Sequence, residues 1–164
     1  MKRKTAYLGL FAAVAIIFGY VESLVPVFTG IPGIKLGLAN LAVLFILDRY
    51  SFKEAALVSV VRILVIGFMF GNLFSILYSL AGAALSLTVM DLLKKHSGFS
   101  LIGISVAGGV THNIGQLIAA AFVVETYDIF YYMPFLLIAG VATGFVIGML
   151  AQEFILRFEK QFHF

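Results

Sequence analysis

The stretch FSLIGISVAGGVTHNIGQLIAAAFVV, from Phe99 to Val124, contains no charged residue and is apolar along most of its length. About 20 consecutive, mainly apolar residues suffice for a helix to cross a bilayer, so this stretch predicts a transmembrane helix. Its centre, GGVTHNIGQLIAA, nevertheless carries four hydrogen-bonding side chains, those of Thr111, His112, Asn113 and Gln116. Inside a bilayer such groups must be satisfied by protein, water or a ligand.

The composition of the whole chain also indicates a membrane protein. Its 164 residues are 62% hydrophobic and 12% charged, whereas a soluble domain is about 45–50% apolar and about 25% charged. A chain of this size cannot hide so much apolar surface in its own core. We therefore expect a multi-pass protein of a bacterial plasma membrane. We do not read the net charge of +3 as nucleic-acid binding, and the absence of cysteine excludes thiol and iron–sulfur chemistry in this chain.

Apolar runs separated by Pro, Gly and charged turns predict an all-α protein with six transmembrane helices in a single domain, residues 1–164. The predicted helices are Thr5–Val25, Ile34–Leu47, Ser51–Phe70, Leu73–Leu93, Phe99–Val124 and Ile129–Leu156. The sequence from Ser51 to Glu54 has the form of a capping box and predicts the start of the third helix. The second and third runs are short, so we expect them to extend into the turns, tilt or break near the outer face.

The basic residues predict the orientation of these helices. Six crossings place most of them on one side of the membrane: Lys2, Arg3, Lys4, Arg49, Lys53, Lys94, Lys95, Arg157 and Lys160. The opposite loops hold one basic residue, Lys35, with Glu22, Glu125 and Asp128. The positive-inside rule therefore predicts that both termini are cytoplasmic.

Arg62 falls in the middle of the third predicted helix, where a charge is costly unless it faces a partner or a wet cavity. It either forms a structural ion pair, with Glu22 or Asp91, or binds an anionic ligand. Lys35 either extends to the membrane interface or attracts an anion to the site.

The polar centre of Phe99–Val124 has two interpretations. His112 and Gln116 are four residues apart and share a helix face, with Asn113 beside Gln116. They either form hydrogen bonds between helices or line a cavity that opens outward. Further polar residues at middle or outer depths favour the cavity, so we expect a substrate site formed by Lys35, Asn40, Arg62, Asn72, Tyr78, His112, Asn113 and Gln116.

Catalytic and cofactor motifs are not apparent. The chain has no D-D-x-x-D cluster for Mg²⁺ and no two adjacent acids. It also lacks a G-x-x-x-x-G-K phosphate loop, so it does not hydrolyse ATP itself. We therefore predict a non-enzyme with no catalytic residue, metal or cofactor.

Three segments together resemble a known family: PGIKLGLANLAVLFIL (Pro32–Leu47), RILVIGFMFGNLFSILYSLAG (Arg62–Gly82) and GGVTHNIGQLIAA. They are similar to heptaprenyl diphosphate synthase component I, also called the Gx transporter family. That family is similar to the substrate-binding S components of energy-coupling factor (ECF) transporters. The resemblance implies six helices, an outward-facing site for a small anionic, vitamin-like or isoprenoid-like solute, a transmembrane coupling subunit and two cytoplasmic ATPases. It leaves open a second role, as a membrane accessory subunit of isoprenoid or quinone metabolism or of quinone- or flavin-linked extracellular electron transfer.

Small residues of the first predicted helix indicate where a partner binds. Gly9 and Ala13 have the small-xxx-small spacing that lets two helix backbones approach closely. They either pack within this chain or dock the partner subunit, and we expect docking.

Overall fold

The computed structural model of the chain describes residues 2–24, 37–96 and 98–161, without the side chains of residues 2–3 and 158–161. Within these residues the fold consists of helices alone, which confirms the predicted all-α class. The helices are α1 (Lys2–Leu24), α2 (Leu38–Arg49), α3 (Phe52–Phe70), α4 (Leu73–Lys95), α5 (Leu101–Val124) and α6 (Met133–Gln161), and a short 3-10 helix, Asp128–Tyr132, precedes α6. Four of them, α1, α4, α5 and α6, are long and apolar enough to cross a membrane. The count of six crossings stays a prediction.

Helix α2 is short, and most of it is buried in the interior of the protein. Its 12 residues span about 18 Å, well below the hydrocarbon thickness of a bilayer. The run from Ala42 to Leu47 is buried throughout, and α2 contacts α1, α3 and α6. The part of the second predicted helix before Gly37 lies outside the described residues. Gly37 itself is in the left-handed region, with φ of 75°, and α2 begins after it.

Two other predicted boundaries differ from the structure. The sixth predicted helix starts as the 3-10 helix and becomes α-helical only at Met133. Ser51 does precede α3, but the predicted capping box is wrong in detail, because the Ser51 side chain makes no hydrogen bond to the helix backbone. Its hydroxyl instead donates to the Glu54 carboxylate, which also accepts from Lys4.

Contacts between helix ends show that neighbouring helices run in opposite directions. At one end, Lys4 of α1 forms an ion pair with Glu54 of α3 at 2.5 Å. At the same end, Lys94 Nζ of α4 donates to the carbonyls of Leu47 and Asp48, each at 2.6 Å. At the other end, the last turn of α1 meets the first turn of α2, where Leu38 N–H donates to Glu22 Oε1 at 2.9 Å.

Glycines bring α5 into close backbone contact with both of its neighbours. A Cβ added at Gly115 of α5 would lie 2.9 Å from the Ala81 carbonyl oxygen of α4. On α6, Gly140, Gly144 and Gly148 form a row at four-residue spacing, and a Cβ at any of them would lie 3.0 Å or less from α5 backbone atoms. Helices approach this closely only where side chains are absent. Helices α4, α5 and α6 therefore form one tightly packed half, which α1, α2 and α3 complete through the α3–α4 and α2–α6 contacts.

Candidate functional site

A cavity of about 320 Å³ lies between the two halves, and all six α-helices contribute to its lining. It reaches from the middle of the bundle to the end where α1 and α3 finish and α4 begins. Its volume falls in the range of small-molecule sites, about 300–1,000 Å³. The side chains with polar groups that line it are those of Glu22, Ser23, Asn40, Arg62, Ser75, Ser79, His112, Asn113, Gln116 and Thr143.

Arg62 contributes a positive charge to the described lining of this cavity. Its Nη2 donates to Asn40 Oδ1 of α2 at 3.2 Å, and its buried Nε has no hydrogen-bond partner. Neither acid considered as its ion-pair partner contacts it. Asp91 pairs with Lys95 at 2.5 Å, and Glu22 accepts from the backbone of Leu38. Arg62 therefore lines the cavity with donors beyond the one that Asn40 accepts from, and an anionic or acceptor group of a ligand would satisfy them.

The polar centre of α5 both forms a hydrogen bond to another helix and lines the cavity. Asn113 Nδ2 donates to the Leu136 carbonyl of α6 at 2.7 Å, so this side chain joins two helices. Asn113, His112 and Gln116 also line the cavity. Thr111 takes no part in the lining, and its hydroxyl bonds back to the Ala107 carbonyl of α5 at 2.6 Å.

Gly82 of α4 allows His112 and Gln116 to occupy this position. A Cβ on Gly82 would lie 2.7 Å from Gln116 Cγ and 2.7 Å from the backbone oxygen of His112. Both distances are far below van der Waals contact, so α5 could not sit so close to α4 with a larger residue there. The polar pair is thus placed by a glycine on the neighbouring helix.

Five of the eight predicted site residues line the cavity together: Asn40, Arg62, His112, Asn113 and Gln116. Asn72 and Tyr78 are absent from the lining. Asn72 is the N-cap of α4, where its Oδ1 accepts from Ser75 N–H at 2.8 Å. Tyr78 is half-buried on α4. Lys35 lies outside the described residues.

Three polar cavity residues were not predicted from the sequence. Glu22 was expected in an outer loop or as an ion-pair partner, and neither Ser23 nor Thr143 was predicted at the site. All three lie within helices, where only packing decides which way a side chain faces. Glu22 and Ser23 lie three and four residues after Gly19, on the same face of α1. Gly19 packs on Ile66 of α3, so the small residue at this position is the sequence feature that indicates an inward-facing side of α1.

The described residues contain no group of three or more His, Asp or Glu side chains that could hold a metal ion. The described part of the lining offers hydrogen-bonding groups and two opposite charges, those of Glu22 and Arg62.

The predicted docking residues Gly9 and Ala13 are both exposed. A Cβ added at Gly9 would have no atom within 4 Å among the described residues. Packing within the described part of the chain therefore does not use this face of α1, whereas Ala15 on the opposite face is fully buried.

Long apolar helices around a polar cavity of small-molecule size define an integral membrane protein with a candidate solute site. The sequence matches the family described as heptaprenyl diphosphate synthase component I over residues 11–154, and the chain belongs to that family. This confirms the family suggested by the three sequence segments. No curated protein and no solved structure matched the chain.

Proposed function

We propose that this protein is the membrane-embedded substrate-binding component of an ECF-type uptake transporter. It would bind a small solute from the outside in the cavity between α1–α3 and α4–α6. The observation that carries the proposal is the unpartnered, buried Nε of Arg62 in a cavity of about 320 Å³. A charge at bilayer depth costs at least about 2.5–3.5 kcal/mol, and a bound solute group would offset part of that cost.

Recognition would rest on three groups of different chemistry. The planar fork of Arg62 suits a carboxylate or phosphate oxygen. The Gln116 amide offers both donors and an acceptor, as does the Asn113 amide apart from the donor already used by Leu136. His112 adds a further ring nitrogen at the same depth.

The proposal is tested by a thermal-shift screen of anionic, vitamin-like and prenyl compounds on the detergent-solubilised protein, followed by Arg62→Met. We expect this substitution to raise the dissociation constant of any hit at least about tenfold, since a hydrogen bond to a charged group contributes about 1.5–3 kcal/mol. The melting temperature of the unliganded variant is measured as well, since it reports on folding separately from binding. Arg157→Met is the matched control, because Arg157 pairs with Glu153 on the exposed side of α6.

Unchanged affinity in Arg62→Met would contradict this site. Loss of folding in Arg62→Met, with Arg157→Met intact, would favour a structural role for Arg62.

The partner would dock on the exposed face of α1 that includes Gly9 and Ala13. We expect Gly9→Leu and Ala13→Leu to lose the coupling subunit and the two ATPases in co-purification while solute binding is retained. Folding should survive, because Ala13 is exposed and a Cβ at Gly9 meets no described atom within 4 Å. Ala142→Leu, at an exposed alanine of α6, is the control. Retention of the partners in both α1 variants would exclude this docking face.

Family membership supports a second candidate, an accessory subunit of isoprenoid or quinone metabolism or of quinone- or flavin-linked extracellular electron transfer. Co-purification from native membranes separates the two functions. ATPases among the partners favour the transporter, and a prenyl synthase or quinone oxidoreductase favours the accessory subunit.

A further inference from the structure

The cavity described above carries two opposite charges that do not neutralise each other by direct contact. Glu22 of α1 and Arg62 of α3 both line it. No ion pair joins them in the part of the chain that the structure describes. Each holds a neutral group instead, Asn40 Oδ1 for Arg62 and the Leu38 N–H for Glu22.

Both charges retain capacity for a ligand. Arg62 lines the cavity, and its guanidinium has further N–H donors besides the one that Asn40 accepts from. A carboxylate offers about four acceptor sites, of which the Leu38 N–H takes one. A solute group that donates to Glu22 would therefore meet an acceptor already held in place by α2.

The two charges restrict which solutes fit. Among the described residues that line the cavity, Glu22 contributes a negative charge and Arg62 a positive one. Charged side chains within membrane helices usually pair with an opposite charge or with backbone groups. A monoanion bound to Arg62 would supply a partner to the guanidinium alone. A solute with one anionic and one cationic group would supply a partner of opposite charge to each of the two.

We propose that the solute is a small zwitterion, with its anionic group on Arg62 and its cationic group beside Glu22. The inference rests on the proposed solute-binding function. The sequence predicted a solute with an anionic group, and the inference adds a cationic group, which makes the net charge of the solute zero.

The test compares probes that carry both charged groups, the carboxylate alone or the amine alone on the same carbon frame. The first set is phenylalanine, hydrocinnamate and phenethylamine, whose ring suits the apolar part of the lining formed by Ile63, Ile66 and Phe70. The second set is β-alanine, propionate and ethylamine. Binding is measured by thermal shift and by titration up to millimolar concentration. We expect one of the zwitterions to bind at least about tenfold more tightly than its matched acid and amine, the factor for one charged hydrogen bond.

Glu22→Gln then tests the role of the carboxylate. Gln keeps an oxygen that can accept from Leu38, so α2 remains capped, and only the charge is removed. We expect this variant to lose most of the preference for the zwitterion over the acid. Glu125→Gln, an exposed acid at the C-terminal end of α5 that is not part of the lining, should keep the preference.

Equal affinity for the zwitterion and its acid, or an unchanged preference in Glu22→Gln, would overturn the inference while leaving solute binding intact. If neither probe set binds, native mass spectrometry of the protein from its own membranes tests the inference by identifying any co-purified solute. A co-purified solute with both charged groups supports the inference, and one that lacks a cationic group overturns it. Absence of any co-purified solute would count against both the zwitterion and the proposed solute-binding function.

Discussion

Gly82 has no functional group, yet it decides where the polar groups of the neighbouring helix lie. Its missing side chain lets His112 and Gln116 of α5 reach the cavity past α4. Asn113, on the same turn, is held by the Leu136 carbonyl of α6. The polar centre of α5 is thus fixed from two sides, which restricts the conformations that its side chains adopt in the cavity.

We expect Gly82→Ala to lower the free energy of unfolding by about 1–3 kcal/mol, the usual cost of overpacking a core. Gln116 can move away from the new Cβ, but the other atom at 2.7 Å belongs to the His112 backbone and cannot move without α5. Binding of any solute should weaken as well. Denaturant or thermal unfolding in detergent measures the change.

The control for this substitution is Gly9→Ala. Its Cβ meets open space, so the stability should stay within about 0.5 kcal/mol of the parent. Equal effects of the two substitutions would show that the α4–α5 contact is looser than described.

At the scale of helices, α2 depends on its neighbours because it is short and buried. The last four carbonyls of a helix have no hydrogen-bond partner within that helix. At the end of α2, Lys94 of α4 donates to two of them, the carbonyls of Leu47 and Asp48. The other end of α2 receives the Glu22 carboxylate of α1, whose charge is favourable at a helix N-terminus. Charged side chains from two different helices therefore position α2. They also position Asn40, which lies on α2 and accepts a hydrogen bond from Arg62.

Lys94→Met should lower the free energy of unfolding by about 1–2 kcal/mol, since hydrogen bonds to a charged donor are lost but the site is partly open to water. Lys95→Met removes the same charge one residue later. Lys95 pairs with Asp91 on the surface, and this loss should cost about 0.5 kcal/mol or less. Equilibrium unfolding of both variants measures the difference, and an equal effect would exclude a special role for Lys94.

Across the whole molecule, the described Lys and Arg residues other than Arg62 gather at one end, where four acids accompany them. One end collects the basic side chains of Lys4, Arg49, Lys53, Lys94, Lys95 and Arg157. The opposite end carries Glu22, Glu125 and Asp128 and holds the opening part of the cavity. Under the positive-inside rule the cavity would face outward, as uptake of an external solute requires.

This orientation predicts the labelling of single cysteines, since the parent chain has none. His96→Cys and Tyr127→Cys are exposed positions at opposite ends. We expect a membrane-impermeant thiol reagent to label Tyr127→Cys in intact cells and His96→Cys only after permeabilisation. The unsubstituted protein should not react. Labelling of His96→Cys from outside would reverse the orientation and the proposed direction of binding.

Local composition by itself determined that the chain belongs in a membrane, that it is helical and approximately where its helices begin and end. These features depend on apolar length and on the charged or glycine- and proline-containing turns, which are properties of neighbouring residues. The same information predicted that Arg62 and the polar centre of α5 belong to a functional site, because a charge or amide at bilayer depth needs a partner.

Only the tertiary structure decided which polar residues share the cavity. The rotation of each helix depends on distant contacts, above all the glycines that let α5 approach α4 and α6. Glu22 lies in the same lining as Arg62, whereas Asn72 caps α4, although Glu22 and Asn72 are both polar residues near the same end of the molecule. A sequence pattern reports the depth of a side chain along its own helix, and the side that it faces is determined by the packing of the other five.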